Sequence, residues 1–172
     1  MKAKFVTTQE AVGMIHDGNT IVTVGMTLTG SAESIVKSLV KNFFEHQTPR
    51  DLTLLHAAGQ ADGARGINHF AHEGLLRRVI GGHWGLAPDL MKLITDNKVI
   101  AYNMPQGQLA QLFRSMACGL PGKMSKVGLG TYIDPRVEGG KMNPKTELEA
   151  DIVEVIHIDD DEFLFYRSVP ID

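Results

Sequence analysis

Four times between Thr20 and Gln106 the chain passes from a short apolar stretch into a loop that carries glycine. The apolar stretches are Thr20–Val24 (TIVTV), Asp51–Leu55 (DLTLL), Arg78–Ile80 and Val99–Tyr102 (VIAY). Short runs rich in β-branched residues and leucine suit strands that are buried on both faces. The loops behind them read GMTLTG (Gly25–Gly30), HAAGQADG (His56–Gly63), GGHWG (Gly81–Gly85) and NMPQG (Asn103–Gly107), and helical patterns resume after each. Such alternation argues an α/β domain with a mostly parallel sheet and helices on both faces. Parallel strands all point one way, so their carboxyl-end loops share one edge, and that edge is where ligands collect.

The helical segments carry their own signals. Thr7 and Glu10 form a capping box ahead of Ala11, Val12, Met14 and Ile15. Ser31 is expected to cap a second helix whose inner stripe is Ile35, Leu39, Val40, Phe43 and Phe44. Ile67–Leu76 is predicted as a short helix, and Pro88 opens another that runs to Thr95. The helix behind Pro105 carries Leu109, Leu112, Phe113, Met116 and Cys118, and Gly119–Gly122 closes it; Cys118 is expected to be a buried structural thiol. Glu154–Ile158 and Phe163–Arg167 read as a hairpin around the acidic turn Asp159–Glu162. The final residues, Arg167–Asp172, follow a strand with no capping helix, which predicts a single domain, 1–172, cut short at its C-terminal end.

Composition excludes several classes. The 172 residues suffice for one domain with a proper core. The formal charge of −3 gives no electrostatic footprint for nucleic acid or an anionic membrane. No apolar run approaches the ~20 residues that span a bilayer. Cys118 is the only cysteine, so an internal disulfide is impossible and a reducing, cytoplasmic setting is expected.

Residues with chemical potential cluster in the loops. Gly25–Gly30 can cradle a phosphate or a thioester oxygen with backbone N–H groups. It departs from G-x-G-x-x-G at Thr27, and an ordinary tight turn fits it as well. His69, His72 and Glu73 read H-x-x-H-E, a spacing that lacks the i, i+4 pair of a zinc protease, so hydrogen-bonded or surface histidines are expected and no metal. His83 and Trp84 lie between glycine pairs; Trp84 either stacks on an adenine or walls a pocket, or is a half-buried tryptophan at the sheet edge. Gln106 is an uncharged amide at a strand exit, able to donate to a carbonyl or carboxylate oxygen, and a turn residue on the other reading.

Taken together, Val24–Glu33 (VGMTLTGSAE), Gly81–Gly85, Pro105–Leu109 (PQGQL), Gly119–Gly122 and Gly128–Thr131 resemble class I coenzyme A transferases, in the same order along the chain. Asn68–Gly74 (NHFAHEG) with Ile80–Gly85 is similar to the propionate/acetate, short-chain acyl group, in which both halves lie in one chain. The resemblance implies a three-layer α/β/α fold of the NagB/RpiA/CoA-transferase-like type and an α-type, N-terminal half. It implies a reaction in which a glutamate attacks an acyl-CoA thioester, passes through an acyl-glutamyl anhydride and a glutamyl-CoA thioester, and hands CoA to a free acid. That glutamate belongs to a second half, and neither Glu33 nor Glu73 matches it, so no catalytic residue is expected here. Gln106 matches the glutamine that hydrogen-bonds the reacting carboxyl group, and Gly25–Gly30 matches the glycine-rich turn near the site, with Thr27 where some relatives carry glycine. Ala57, Ala58 and Gly59 stand where two-subunit relatives carry asparagines.

The substrate-binding residues expected on this basis are Gln106, Gly107, Gly25, Gly30, Gly59, His83 and Trp84. The implied ligands are an acyl-CoA and a short-chain carboxylic acid, with coenzyme A thioester as substrate and no tightly bound cofactor. The implied partners are a complementary β-type half and further copies of the chain. A non-catalytic acyl-CoA or phosphometabolite-binding domain, and a sugar-phosphate isomerase, remain alternatives on the same fold.

Overall fold

The computed structural model describes residues 5–172. Strand β2 (Leu52–His56) is buried along its whole length and sits inside a four-stranded sheet. Its neighbours are β1 (Thr20–Val22) and β3 (Leu76–Gly81), and β4 (Ile100–Asn103) follows β3. All three ladders are parallel, and spatial order equals chain order. The two-residue period of a strand divides the side chains between two cores. Leu54, Val79 and Ala101 face one core; Leu55, Ile80 and Tyr102 face the other.

Crossovers of one hand that step in one direction put their connections on one face. Helix α2 (Glu33–His46), a 3-10 turn (Ile67–Phe70) and α3 (Pro88–Thr95) accordingly cover the first core, through Val36, Leu39, Phe43, Phe70, Leu90 and Ile94. The chain then changes sides. Helix α4 (Gln106–Ala117) covers the second core with Leu109 and Leu112. A small antiparallel sheet completes that layer, in the order β5 (Gly122–Ser125), β7 (Asp161–Arg167), β6 (Val153–Ile158). The expected α/β architecture with a mostly parallel sheet is present.

Several expectations need correction. Ser31 does not cap α2: Ala32 holds that position with no side-chain bond, because the preceding loop continues through a Ser31 N–H bond to the Leu28 carbonyl. The predicted helix at Ile67–Leu76 is only the 3-10 turn; Gly74, at φ +89°, ends any continuation, and β3 starts at Leu76 instead of Arg78. The capping box on α1 (Thr8–Val12) is formed, but the helix stops at Val12. The hairpin is present, with strands longer than expected and only Asp159 and Asp160 between them. Cys118 is exposed, one residue past α4 and off the Leu109–Leu112–Met116 stripe. Strand β5 and helix α5 (Pro144–Glu147) are additional elements.

The β4 edge of the parallel sheet is covered, and the β1 edge is met at Thr20. On β1 the Thr20 N–H donates to an Asp172 carboxylate oxygen at 2.8 Å. On β4 the Ala101 N–H donates to Thr146 Oγ1 at 2.8 Å, and the Asn103 N–H to the Gly140 carbonyl at 2.8 Å. Covered edges do not template pairing with another chain. Asn143 anchors the β4 cover. Its buried amide donates to the Ile94 and Val99 carbonyls, at 2.8 and 2.9 Å, and its oxygen accepts from the Thr146 N–H and hydroxyl. Replacing Asn143 by alanine orphans the Val99 carbonyl, leaves the Ile94 carbonyl with its backbone bond from the Asn97 N–H, and frees Thr146. The expected loss is about 3 kcal/mol, read as a lower urea midpoint at unchanged m-value; an unchanged midpoint would contradict this role.

Candidate functional site

The four parallel strands end at one edge, and hydrogen bonds stitch their exits together. From the β1 loop the Thr27 N–H donates to the Gly59 carbonyl at 2.7 Å. From the β2 loop the buried Gln60 amide donates to the Thr23 carbonyl at 2.8 Å. From the β4 exit the Met104 N–H donates to the Gly81 carbonyl at 2.9 Å. Gly25 has φ +135°, and a Cβ there would lie 2.4 Å from the Thr29 carbonyl oxygen, so only glycine makes this turn. Thr27 also occupies the left-handed region, at φ +52°. A threonine there is strained, and its bond to Gly59 holds it.

Close packing of loop on loop requires the missing side chains. The His83 ring lies over Gly59, where a Cβ would come 2.5 Å from Nδ1. A Cβ on Gly82 would sit 2.5 Å from the Ala57 carbonyl oxygen and 2.5 Å from Gln106 Cγ. Gln106 is the first residue of α4, behind Pro105, and is exposed. Its Nε2 reaches the Gly82 carbonyl only at 3.4 Å, a long bond that leaves the amide free to turn. Around Gly107 lies open space, and Gly30 packs beside Gly25. The structure therefore gathers Gly25, Gly30, Gly59, His83, Gln106 and Gly107 on one edge.

Trp84 is placed differently. It is 5% exposed and packs in the first core with Ala87 and Leu90. Stacking on an adenine needs a free ring face, so Trp84 supports the edge from beneath and offers no platform. Beside it lies a residue that the loop pattern did not single out. His56 closes β2, is fully buried, and stands edge-on to the Trp84 ring at 4.8 Å between centroids. The signal available was a histidine directly behind the leucine-rich run Leu52–Leu55.

The acidic residues of these loops are engaged. Glu33 accepts from Lys37 at 3.1 Å, from the Gly66 N–H at 3.0 Å, and lies 2.7 Å from His69 Nε2. Burial pulls its carboxyl upward, but these bonds outweigh it and hold the group below its ordinary range. The Arg65 backbone N–H and guanidinium pull Asp62 down to about 2. His69 is thus tied to Glu33, and Glu73 to Lys98 at 3.3 Å. Among the described residues no three His, Cys, Asp or Glu side chains gather as a metal-binding group, and no helix is long and apolar enough to cross a membrane.

Desolvation pushes the His56 imidazole down to about 4, against the opposing bond to the Ala58 carbonyl; the charge of His83 adds a smaller downward push. In the unfolded chain the ring returns to about 6.5. Between those values the unfolded state binds a proton that the folded state refuses, so stability falls as the pH falls. Replacing His56 by leucine should flatten the stability curve between pH 6.5 and 4.5, removing roughly 2 kcal/mol of its fall. Urea unfolding at half-unit pH steps measures this, and parallel curves for the two proteins would refute it. The edge glycines give a second expectation. Gly82→Ala meets two backbone carbonyls and should cost about 1–3 kcal/mol, whereas Gly59→Ala meets only the exposed His83 ring and should cost well under half as much. Thermal unfolding of the pair distinguishes them; equal losses would show that the loops do not pack as described.

Residues 5–169 match the family described as coenzyme A transferase. Acetate CoA-transferase YdiF of Escherichia coli K12 is 38% identical over 169 residues, which is 95% of this chain and 31% of YdiF. The α subunit of acetate CoA-transferase from the same strain is 30% identical over 148 residues, 86% of this chain and 64% of the subunit. The crystal structure of the YdiF acyl-CoA transferase from E. coli O157:H7, as a thioester complex with CoA, superposes with a TM-score of 0.90 at 37% identity, over 97% of this chain and 33% of that one. The chain spans about a third of the length of YdiF. With the strand-exit loops and the three-layer architecture both in place, the chain belongs to the coenzyme A transferase family and corresponds to its α-type half.

Proposed function

We propose that this chain is the α-type domain, residues 1–172, of a short-chain acyl-CoA transferase. It forms one wall of a site whose nucleophilic glutamate comes from a complementary β-type half. The observation that carries the reading is the edge itself: an uncharged amide, Gln106, held loosely above Gly82 and among glycine loops, beside acids that are already bonded. An edge of this kind offers hydrogen-bond donors to an acyl oxygen or carboxylate and no free carboxylate to attack with. The thioester complex of YdiF with CoA supports a covalent route through an enzyme-bound thioester.

In this reading acyl-CoA and the acceptor acid use the edge in turn. The glutamate of the partner half attacks the acyl carbonyl, expelling CoA thiolate and leaving an acyl-glutamyl anhydride. The thiolate then attacks the glutamyl carbonyl and releases the first acid. Gln106 donates to the oxygen of the reacting carboxyl group as charge develops there, and Gly25, Gly30 and Gly107 let the substrate approach the backbone, while the buried Gly59 seats the His83 ring. His83 lines the rim; Trp84 stays below it.

The test is CoA exchange between propionyl-CoA and acetate. The chain alone should give none. The assembled enzyme should turn over, and Gln106→Ala should lower its kcat by ~10-fold or more. Turnover by the chain alone at the assembled enzyme's rate would remove the second half from the mechanism, and an unaffected Gln106→Ala enzyme would remove Gln106 from the site.

A further inference from the structure

The edge loops rest on a buried imidazole that the proposed reaction does not use. His56 lies on the same sheet face as Leu54, below the β2 and β3 exits. Its Nδ1 is 2.8 Å from the Ala58 carbonyl oxygen. A carbonyl only accepts, so Nδ1 carries the proton and the neutral ring leaves Nε2 as a bare acceptor. That Nε2 is buried without a partner. It faces Gly81, where a Cβ would lie 2.4 Å away. A leucine would fill this place without stranding an acceptor, so the imidazole carries a cost that its volume does not explain. Its polar contact is the bond to Ala58. Ala58 sits between Ala57, whose carbonyl overlies Gly82, and Gly59, whose carbonyl takes the Thr27 N–H and whose Cα seats His83.

We propose that His56 is a positioning residue for the edge site: its Nδ1–H fixes the Ala58 carbonyl, and through the Ala57–Gly59 turn it sets the Gly25–Gly30 loop and His83. The inference rests on the reading of this edge as the acyl-CoA site. His56 itself touches no substrate; it acts through the backbone that does. Buried and neutral, the ring holds one tautomer through the working pH range.

Three measurements test it. Long-range nitrogen–proton correlation on the wild-type chain should show Nδ1 protonated and Nε2 bare, unchanged from pH 8 to pH 5; a ring protonated at Nε2 overturns the inference, whatever the variants do. Amide exchange should then show His56→Leu speeding the Thr27 N–H by ~10-fold or more relative to the Leu54 N–H. His56→Asn, whose amide N–H can reach the Nδ1 position, should bring most of that protection back. Equal Thr27 protection in all three proteins overturns it. In the enzyme assembled with its β-type half, His56→Leu should lower kcat by ~10-fold while KM for acyl-CoA moves less than roughly threefold, with partial recovery in His56→Asn. Full kcat in His56→Leu defeats the positioning role and leaves the transferase reading standing. An assembled wild-type enzyme that transfers no CoA defeats the transferase reading, and the exchange data then decide on His56 alone.

Discussion

Parallel pairing of β2 with both of its neighbours is the constraint from which the rest follows. A strand flanked on two sides and covered on two faces favours apolar side chains until it ends, and Leu52–Leu55 is apolar apart from the buried Thr53. Because β1, β3 and β4 share its direction, each return must cross a face of the sheet, and each exit must fall at the same edge. The edge is therefore a consequence of topology before it is a site. Its four loops come within hydrogen-bond distance because their strands are hydrogen-bonded neighbours, offset by one ladder spacing of ~4.8 Å.

That spacing explains the glycines. Loops leaving adjacent strands must pass each other with backbone on backbone, and Gly59 and Gly82 sit where a side chain would strike the neighbouring loop. Gly25 answers a different need, a φ that other residues resist. Thr27 shows the limit of the rule, since it takes a left-handed conformation without being glycine and is held by a bond from the next loop. The same crowding sets the geometry of Gln106: its Cγ rests on Gly82, and its amide reaches the Gly82 carbonyl only at 3.4 Å.

The fold was legible where a local pattern and its tertiary role coincide. Apolar β-branched runs, the Thr7–Glu10 capping box, Pro88 at a helix start and the hairpin at Asp159–Asp160 are of this kind. Legibility failed where a distant partner decides. Strand β5, Gly122–Ser125, has no strand pattern of its own and is defined by pairing with β7 some forty residues on. The Ile67–Leu76 segment has helical spacing, but Gly74 and the start of β3 cut it to one turn. Helix α5 is unexpected from the sequence reading, although Asn143 caps it and Pro144 occupies its first turn. In the site, glycines and Gln106 stood out because their residue types are unusual at strand exits. Trp84 and His56 did not separate in the same way, because burial is settled by packing across β2 and β3, and nothing in GGHWG says that His83 faces out while Trp84 faces in.

The charge arrangement of the edge follows from the same packing and bears on what the edge can do. Glu33 opens α2 and reaches across to the Gly66 N–H, so its carboxylate joins the first loop to the second; Lys37 pairs with it and His69 Nε2 lies within 2.7 Å. Asp62 is folded back on Arg65. With these acids bonded among neighbours, the rim exposes the Gln106 amide and the His83 imidazole together with side chains of the Gly25–Gly30 loop such as Met26, Thr27 and Thr29. In the proposed reaction a wall built this way would not repel an incoming carboxylate or thiolate, and the Gln106 amide, free to turn, would swing to meet the developing negative charge. A free carboxylate on this wall would repel both. On the proposed reading, a reacting carboxylate supplied by a second half would stay apart from the Gln106 amide until substrate lies between them.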